Sequence, residues 1–191
     1  HSNLKHKKTD SNMSKENTSV NKWEKFRPLF DQLEVPARTT LLAEGEISRT
    51  MYFVEKGCLR TWVNNDGKEI TTRFFFEGDS VSSIESFMTN QASLYSIESL
   101  EPCTLLTLSQ ERFKNAIANS AELKMDFETH LFNRLLQAQK HFYSFLKNNP
   151  QQRYEDLLEK YPHIIRRVPQ HYIASYLGIT SVSLSRIRKR L

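Results

Sequence analysis

Four glycines set the first half of this chain. Gly45, Gly57, Gly67 and Gly78 fall 12, 10 and 11 residues apart. They sit between or beside short runs rich in Leu, Val, Ile, Thr and aromatic residues, at 39–43, 51–55, 59–63, 69–76, 93–100 and 104–108. Strands and turns repeating at that interval predict an all-β barrel or sandwich. Asn64-Asn65-Asp66-Gly67 predicts a tight hairpin, because Asn, Asp and Gly tolerate positive φ. Ahead of the strands, Trp23, Phe26, Leu29, Phe30 and Leu33 recur at steps of three and four, which predicts a helical face despite Pro28.

The period changes after Ser109, a predicted N-cap. A short helix is expected over 112–119 and a long one over 123–148. Within the long one, Leu131, Leu135, Ala138, Phe142 and Phe145 step by 4, 3, 4 and 3. A seam of that kind wants a partner helix. The seam could pack against the chain's own strands. Self-association is the better reading, since 26 residues make a helix of about 39 Å, longer than a small barrel is wide. Asn148-Asn149-Pro150 then breaks the helix as a hinge. Residues 151–161 form a further amphipathic helix, ended by Pro162.

Charge is unevenly placed. Residues 1–22 carry five Lys against two acids, and 150–191 carry eight Lys/Arg against three acids, whereas the span between is net acidic. The last 26 residues hold six Arg/Lys and no acid, which points to a polyanion partner at that end. Residues 1–22 are polar and aperiodic. They read as a disordered tail, or in part as residues added ahead of a start at Met13. No apolar run is long enough to span a membrane or follows the first lysines as a signal peptide, so a cytoplasmic protein without membrane partner is expected. Cys58 and Cys103 lie in apolar segments and read as buried thiols of a reducing compartment; two cysteines do not make a disulfide framework or a Cys₄ cluster.

The most informative segment is 168–191. Pro169 suits a first helical turn. Ile173, Ala174 and Leu177 give a buried face, and small Ala174 admits a close second helix. Gly178 supplies the left-handed residue that stops the first helix. Ile179 plugs the angle and Thr180 caps the second helix. Leu184, Ile187 and Leu191 face inward. This is a helix-turn-helix pattern. The opposite face centres on Val182, Ser185, Arg186 and Lys189, flanked by Ser183 and Arg190. Arg186 suits two hydrogen bonds to a guanine edge, and Val182 a thymine methyl. Thr180 and Ser181, with backbone N–H groups, suit a phosphate at the helix start. Arg188, Lys189 and Arg190 suit further phosphates.

The order β-roll, long helix, hinge, helix-turn-helix resembles the Crp–Fnr family of bacterial transcription regulators over about residues 23–191. The most specific matches are Tyr172-Ile-Ala-Ser-Tyr-Leu-Gly-Ile-Thr with Leu184-Ser-Arg-Ile-Arg, and Gly78-Asp79 after a strand. The resemblance implies an α+β chain with four parts. A tail covers 1–22. A cyclic-nucleotide-binding-type β-roll of double-stranded β-helix or jelly-roll form covers 23–122. A long dimerisation helix covers 123–148, and a helix-turn-helix domain 150–191. It further implies a homodimer reading a palindromic operator through residues 180–190. Arg186 matches an Arg that reads a base in the family. Two other family base contacts, an Arg and a Glu, fall at Ser181 and Val182, so the operator should differ. Many relatives continue into a β-wing beyond the position of Leu191; either the sequence stops short of it or this branch lacks it. A contact with RNA polymerase is left open.

The family's cyclic-nucleotide cassette places a Gly-Glu pair and a later Arg-Ser pair around the phosphate and ribose. Here those positions hold Ser82-Ser83 and Ser93-Leu94. No Lys or Arg occurs from Phe74 through Glu111. A cyclic phosphate needs compensating charge, which Arg60 or Arg73 would have to bring from another strand. Cyclic AMP is therefore disfavoured, and no cofactor is expected. Another small-molecule effector, or a purely supporting role for the roll, stays open.

Two rival classes remain. A cupin-like enzyme is disfavoured because no His lies between Trp23 and Thr129 to ligate a metal, and no GxSxG, P-loop or CxxC motif occurs. Catalysis is not expected. A ligand-binding signalling module that docks on a protein is the other rival, separable by the salt dependence of binding.

Overall fold

The computed structural model describes residues 26–191. The tail 1–22 and Trp23 lie outside the described residues. A 3-10 turn at Arg27–Leu29 leads directly into strand β1, Asp31–Val35. The helix expected over 23–33 is thus corrected from Phe26 onward. Pro28 allows one tight turn, and Leu33 pairs with Leu105 across an antiparallel ladder. That ladder satisfies the backbone groups which helical spacing alone had assigned elsewhere.

The roll follows as β2 Thr40–Leu42, β3 Thr50–Lys56, β4 Leu59–Asn65, β5 Lys68–Phe75, β6 Ser80–Val81, helix α1 Ile84–Thr89, β7 Ser96–Ser99 and β8 Cys103–Ser109. Six of these strands meet the runs read from sequence; β1 and β6 were too short or too polar to stand out. Two antiparallel four-stranded sheets form, ordered β1-β8-β3-β6 and β2-β7-β4-β5. The hairpin between β4 and β5 turns at Asp66 (φ 51°) and Gly67 (φ 84°). Both central residues are left-handed, as a two-residue type I′ turn demands. Val35, Leu42, Val54, Leu59, Phe75, Ile97 and Leu105 fill the space between the sheets. Cys58 and Cys103 are free and buried.

Helices take over at Ser109, whose hydroxyl accepts from Arg112 N–H and caps α2, Gln110–Asn119. Ser120 caps the 27-residue α3, Ala121–Lys147, in the same way through Leu123 N–H. Phe113 stacks edge-on with Phe87 and Phe127, pinning α2 and α3 to the roll. Each such buried ring contributes about 1.5–3 kcal/mol. The hinge is sharply defined. Asn149 and Gln152 form a reciprocal capping box that starts α4, Pro150–Lys160, directly after α3 ends. Pro162 does not simply end α4, as read from sequence; it opens a further helix, α5, Pro162–Arg167. A proline at the first helical position loses no hydrogen bond, so it starts helices as readily as it stops them. Two helices complete the chain, α6 Gln170–Tyr176 and α7 Ser181–Arg188.

The helical end is packed onto the roll. Cys58, Phe74 and Phe76 of the roll share one buried cluster with Tyr154, Leu157, Ile164, Ile173, Leu177 and Leu184. Ser175 caps the outer edge of β5: it accepts from Thr71 N–H at 2.8 Å and donates to Glu69 O at 3.0 Å. Arg167 grips Glu77 with both guanidinium nitrogens, at 2.7 and 2.9 Å, and also pairs with Glu101. Glu77 additionally accepts from Gly57 N–H at 2.9 Å.

The Arg167 hydrogen bonds hold the Glu77 carboxyl at about 2, below its ordinary 4.5, against the opposing effect of burial. A carboxyl depressed on docking favours the docked form above its ordinary value and loses that contribution as pH falls through the lower one. Docking of α5 on the roll should therefore weaken as pH drops from about 4.5 towards 2, and Glu77→Gln should flatten that dependence. Amide exchange in α5 followed against pH checks this; an unchanged profile in Glu77→Gln would exclude the assignment.

Candidate nucleic-acid interface and effector cleft

The C-terminal elbow is built from its own sequence signals. Pro169 sits one residue earlier than read: it is the N-cap of α6, extended at ψ 140°, and its carbonyl accepts from Tyr172 N–H. Ile173, Ala174 and Leu177 are buried. Gly178 turns the chain at φ +70°, and a Cβ there would press on the Phe145 ring at 3.2 Å. Thr180 then caps α7, its hydroxyl accepting from Ser183 N–H at 3.1 Å and lying 3.0 Å from Ser183 Oγ. Leu184 and Ile187 point into the core. Leu191, expected inside, is 61% exposed, because α7 ends at Arg188 and carries the chain off the core.

Around α7, Ser181, Val182, Ser185, Arg186, Arg188, Lys189 and Arg190 are exposed and Ser183 is half-buried. Arg186 is free of the fold's interior. Beside it, Ser183, Arg186 and Arg190 line a shallow hollow with Asn149 and Gln151. A short helix with a two-residue inner stripe thus offers a basic outer face, with N–H groups open at its start. Such a face matches a phosphate backbone and groove edges.

Along α3 the apolar residues divide between two faces. Leu131 packs on the roll's second core cluster with Phe113 and Phe127. Ala138 lines the cleft described below, and Phe145 lies under the Arg153 guanidinium at 4.4 Å. Leu135 and Phe142 are 55% and 58% exposed. The open stripe includes those two but is rotated toward Phe132 (60%) and Leu146 (65%), so that 132, 135, 139, 142 and 146 align at heptad steps.

Of the cassette positions in the roll, Ser83 and Ser93 bond to each other, whereas the buried Ser82 hydroxyl has no hydrogen-bond partner among the described residues. Ser93 Oγ lies 2.9 Å from Ser83 Oγ and 2.7 Å from Tyr95 O, while the Tyr95 hydroxyl donates to Ser82 O at 2.9 Å. Ser82 and Ser83 are buried, whereas Leu94 is 68% exposed and turned away. Arg60 does not reach this region either. It is 1% exposed and held by Glu98 at 2.7 Å, by Glu69 and by the Thr71 hydroxyl at 3.1 Å, with the Tyr172 ring 4.1 Å away. Two carboxylates and a ring outside the cleft hold it more strongly than an empty cavity would.

Arg73 does enter a broad cleft of about 1860 Å³ lined by the roll, by α3 and by the helices α4 to α6. It meets Arg134 of α3 there, both guanidiniums standing against the Phe75 ring at 5.0 and 5.5 Å. Burial lowers the Arg134 pKa, as does neighbouring Arg73; burial raises that of Asp79 nearby. Nothing in the sequence pattern singled out Arg134. The available signal was a cation three residues after inward-facing Leu131, on the roll side of α3.

The cyclic nucleotide-binding domain family matches residues 32–120. The chain is 28% identical over 101 residues to the cAMP-activated global transcriptional regulator CRP of Pasteurella multocida, a match covering 52% of this chain and 48% of that protein. The chain thus spans about half the length of the curated relatives it matches. Among solved structures, the c-di-GMP responsive global regulator CLP of Xanthomonas campestris is similar with a TM-score of 0.70 at 20% identity, over 90% of both chains. FixK2 of Bradyrhizobium japonicum is similar at 0.73 and 16% identity, over 85% of this chain and 84% of that one. Among the described residues no helix is long and apolar enough to cross a membrane. Residues 32–120 thus match the cyclic nucleotide-binding domain family, and the chain shares the fold of CLP and FixK2.

Proposed function

We propose that this chain is a cytoplasmic DNA-binding transcription regulator that works as a homodimer on a palindromic operator. The observation that carries the reading is α7 itself: Leu184 and Ile187 are buried while Val182, Ser185, Arg186 and Lys189 face solvent, with no acidic residue in the last 26. The similarity to CRP and to two regulators of the same fold supports it. Arg186 reads a base edge; Arg188, Lys189 and Arg190, with Ser181 and the helix start, hold phosphates.

Binding to duplex should fall with salt at a slope of about −0.9 per phosphate neutralised. Arg186→Ala should cost about 1–3 kcal/mol on the cognate site and relax one base position, while Lys189→Ala should weaken cognate and random duplex alike. Selection of bound DNA followed by titration of both variants measures this. Identical behaviour of the two variants would exclude Arg186 as the base reader.

The homodimer reading rests on the open stripe of α3. Phe132, Leu135, Phe142 and Leu146 leave an apolar seam, with polar Gln139 at its centre, where a polar seam residue sets register. Phe132→Glu combined with Leu146→Glu should give a folded monomer in sedimentation with greatly weakened operator binding; a dimer surviving both charges would refute the seam.

The absence of a cation at the cassette positions, and the mutual hydrogen bond of Ser83 and Ser93, support the reading that the roll does not take cyclic AMP usefully. Calorimetric titration of cyclic AMP should show no binding in the low micromolar range, and a dissociation constant there would overturn it.

A further inference from the structure

The end of α3, the first turns of α4 and the bend between α6 and α7 meet at one side chain. Arg153 of α4 donates through Nη1 to Asn148 O at 2.6 Å and to Phe145 O at 3.4 Å, at the end of α3. Through Nη2 it donates to Leu177 O at 2.7 Å, at the end of α6. Its guanidinium stands 4.4 Å from the Phe145 ring centroid, and a Cβ on Gly178 would lie 3.2 Å from the same ring. One turn earlier, His141 of α3 and the Tyr176 hydroxyl of α6 lie 3.1 Å apart. Among the described residues Arg153 forms no ion pair, and its Nε is buried with no hydrogen-bond partner. Its guanidinium is thus committed to main-chain oxygens at two helix ends. The last carbonyls of a helix have no partner within it, and the helix dipole favours a cation there. A planar fork satisfies both ends at once and fixes their separation and angle, which the point charge of a lysine does not do. Phe145, assigned to the seam by its spacing, serves this junction instead.

We propose that Arg153 is a positioning residue for DNA recognition: it ties the helix-turn-helix to the end of the long helix and so sets the spacing between the two half-sites that a dimer reads. The inference rests on the proposed DNA-binding homodimer. It assigns half-site spacing to a side chain outside both the recognition face and the open stripe of α3. Elbows tied to α3 present their recognition helices at one separation and one rotation, and a base pair more or less changes these by about 3.4 Å and about 35°. Loosening the tie lowers the effective concentration of the second elbow at its half-site, and leaves the contact of a single elbow with a single half-site intact.

The test measures affinity of the full chain for duplexes carrying one selected half-site, and for two half-sites at the selected spacing or at one base pair more or less. Arg153→Gln should lose roughly three- to tenfold on the selected spacing and show a flatter spacing preference than wild type, while binding the single half-site within about twofold of wild type. Arg153→Lys keeps a cation at the helix ends and so controls for folding, yet should show the same flattening. A parallel loss on the single half-site marks a merely structural role and overturns the proposal. So does a spacing preference that persists in Arg153→Gln or returns in full in Arg153→Lys. A readout without DNA separates the tie from the DNA reading. Spin labels on Asn133→Cys in α3 and Lys189→Cys at the end of α7, diluted with unlabelled chain, should give a narrow distance distribution with Arg153 present and a broad one in Arg153→Gln. A distribution that stays narrow in Arg153→Gln overturns the tie whether or not duplex binds. A broadened one, in a chain that binds no duplex, supports the tie and defeats the DNA reading alone.

Discussion

The Arg60 guanidinium is the group around which the two halves of the chain are organised. It is among the largest fully buried side chains of the protein. A charge taken out of water costs several kcal/mol unless oppositely charged and hydrogen-bonding groups surround it. Here Glu98 comes from β7, Glu69 and Thr71 from β5, and the ring of Tyr172 from α6. One β4 residue thus fixes three strands of a sheet and the first helix of the elbow. The edge of β5 is then close enough for Ser175 to bond both Thr71 and Glu69. That contact satisfies an edge which would otherwise remain open to pairing.

Much of the architecture was legible because local signals agreed with one another. The Asp66-Gly67 turn, the Ser109 and Thr180 caps and the left-handed Gly178 are each decided within four residues of sequence. Elements whose identity depends on distant partners were harder to read. Leu33 of Asp31–Val35 closes an apolar series at helical spacing, yet the strand is made by pairing with β8, roughly 70 residues away along the chain. Pro162 is ambiguous locally, since a proline both ends one helix and begins the next.

The candidate sites show the same division. The outer face of α7 follows from a 100° wheel, because two inward residues determine where the others point. The cleft does not follow from any wheel. Arg60 and Arg73 are both β-strand arginines on neighbouring strands, but the register, Arg60 opposite Phe74 and Thr61 opposite Arg73, turns them to opposite faces of the sheet. Arg60 has Glu98 and Glu69 within reach, whereas Arg73 has Gln137. Arg134 became significant once α3 was seated against Phe75.

The buried cluster that joins Cys58, Phe74 and Phe76 to the elbow has a thermodynamic consequence. The roll has a core of its own between its sheets, but separating it from the elbow would still wet aromatic surface on both sides. The chain should therefore behave as one cooperative unit rather than two beads on a string. Any reorientation of the elbow relative to the roll must then exchange this apolar contact for another of similar extent. A smooth swing through solvent is unfavourable, which leaves a jump between two packed arrangements as the available kind of motion.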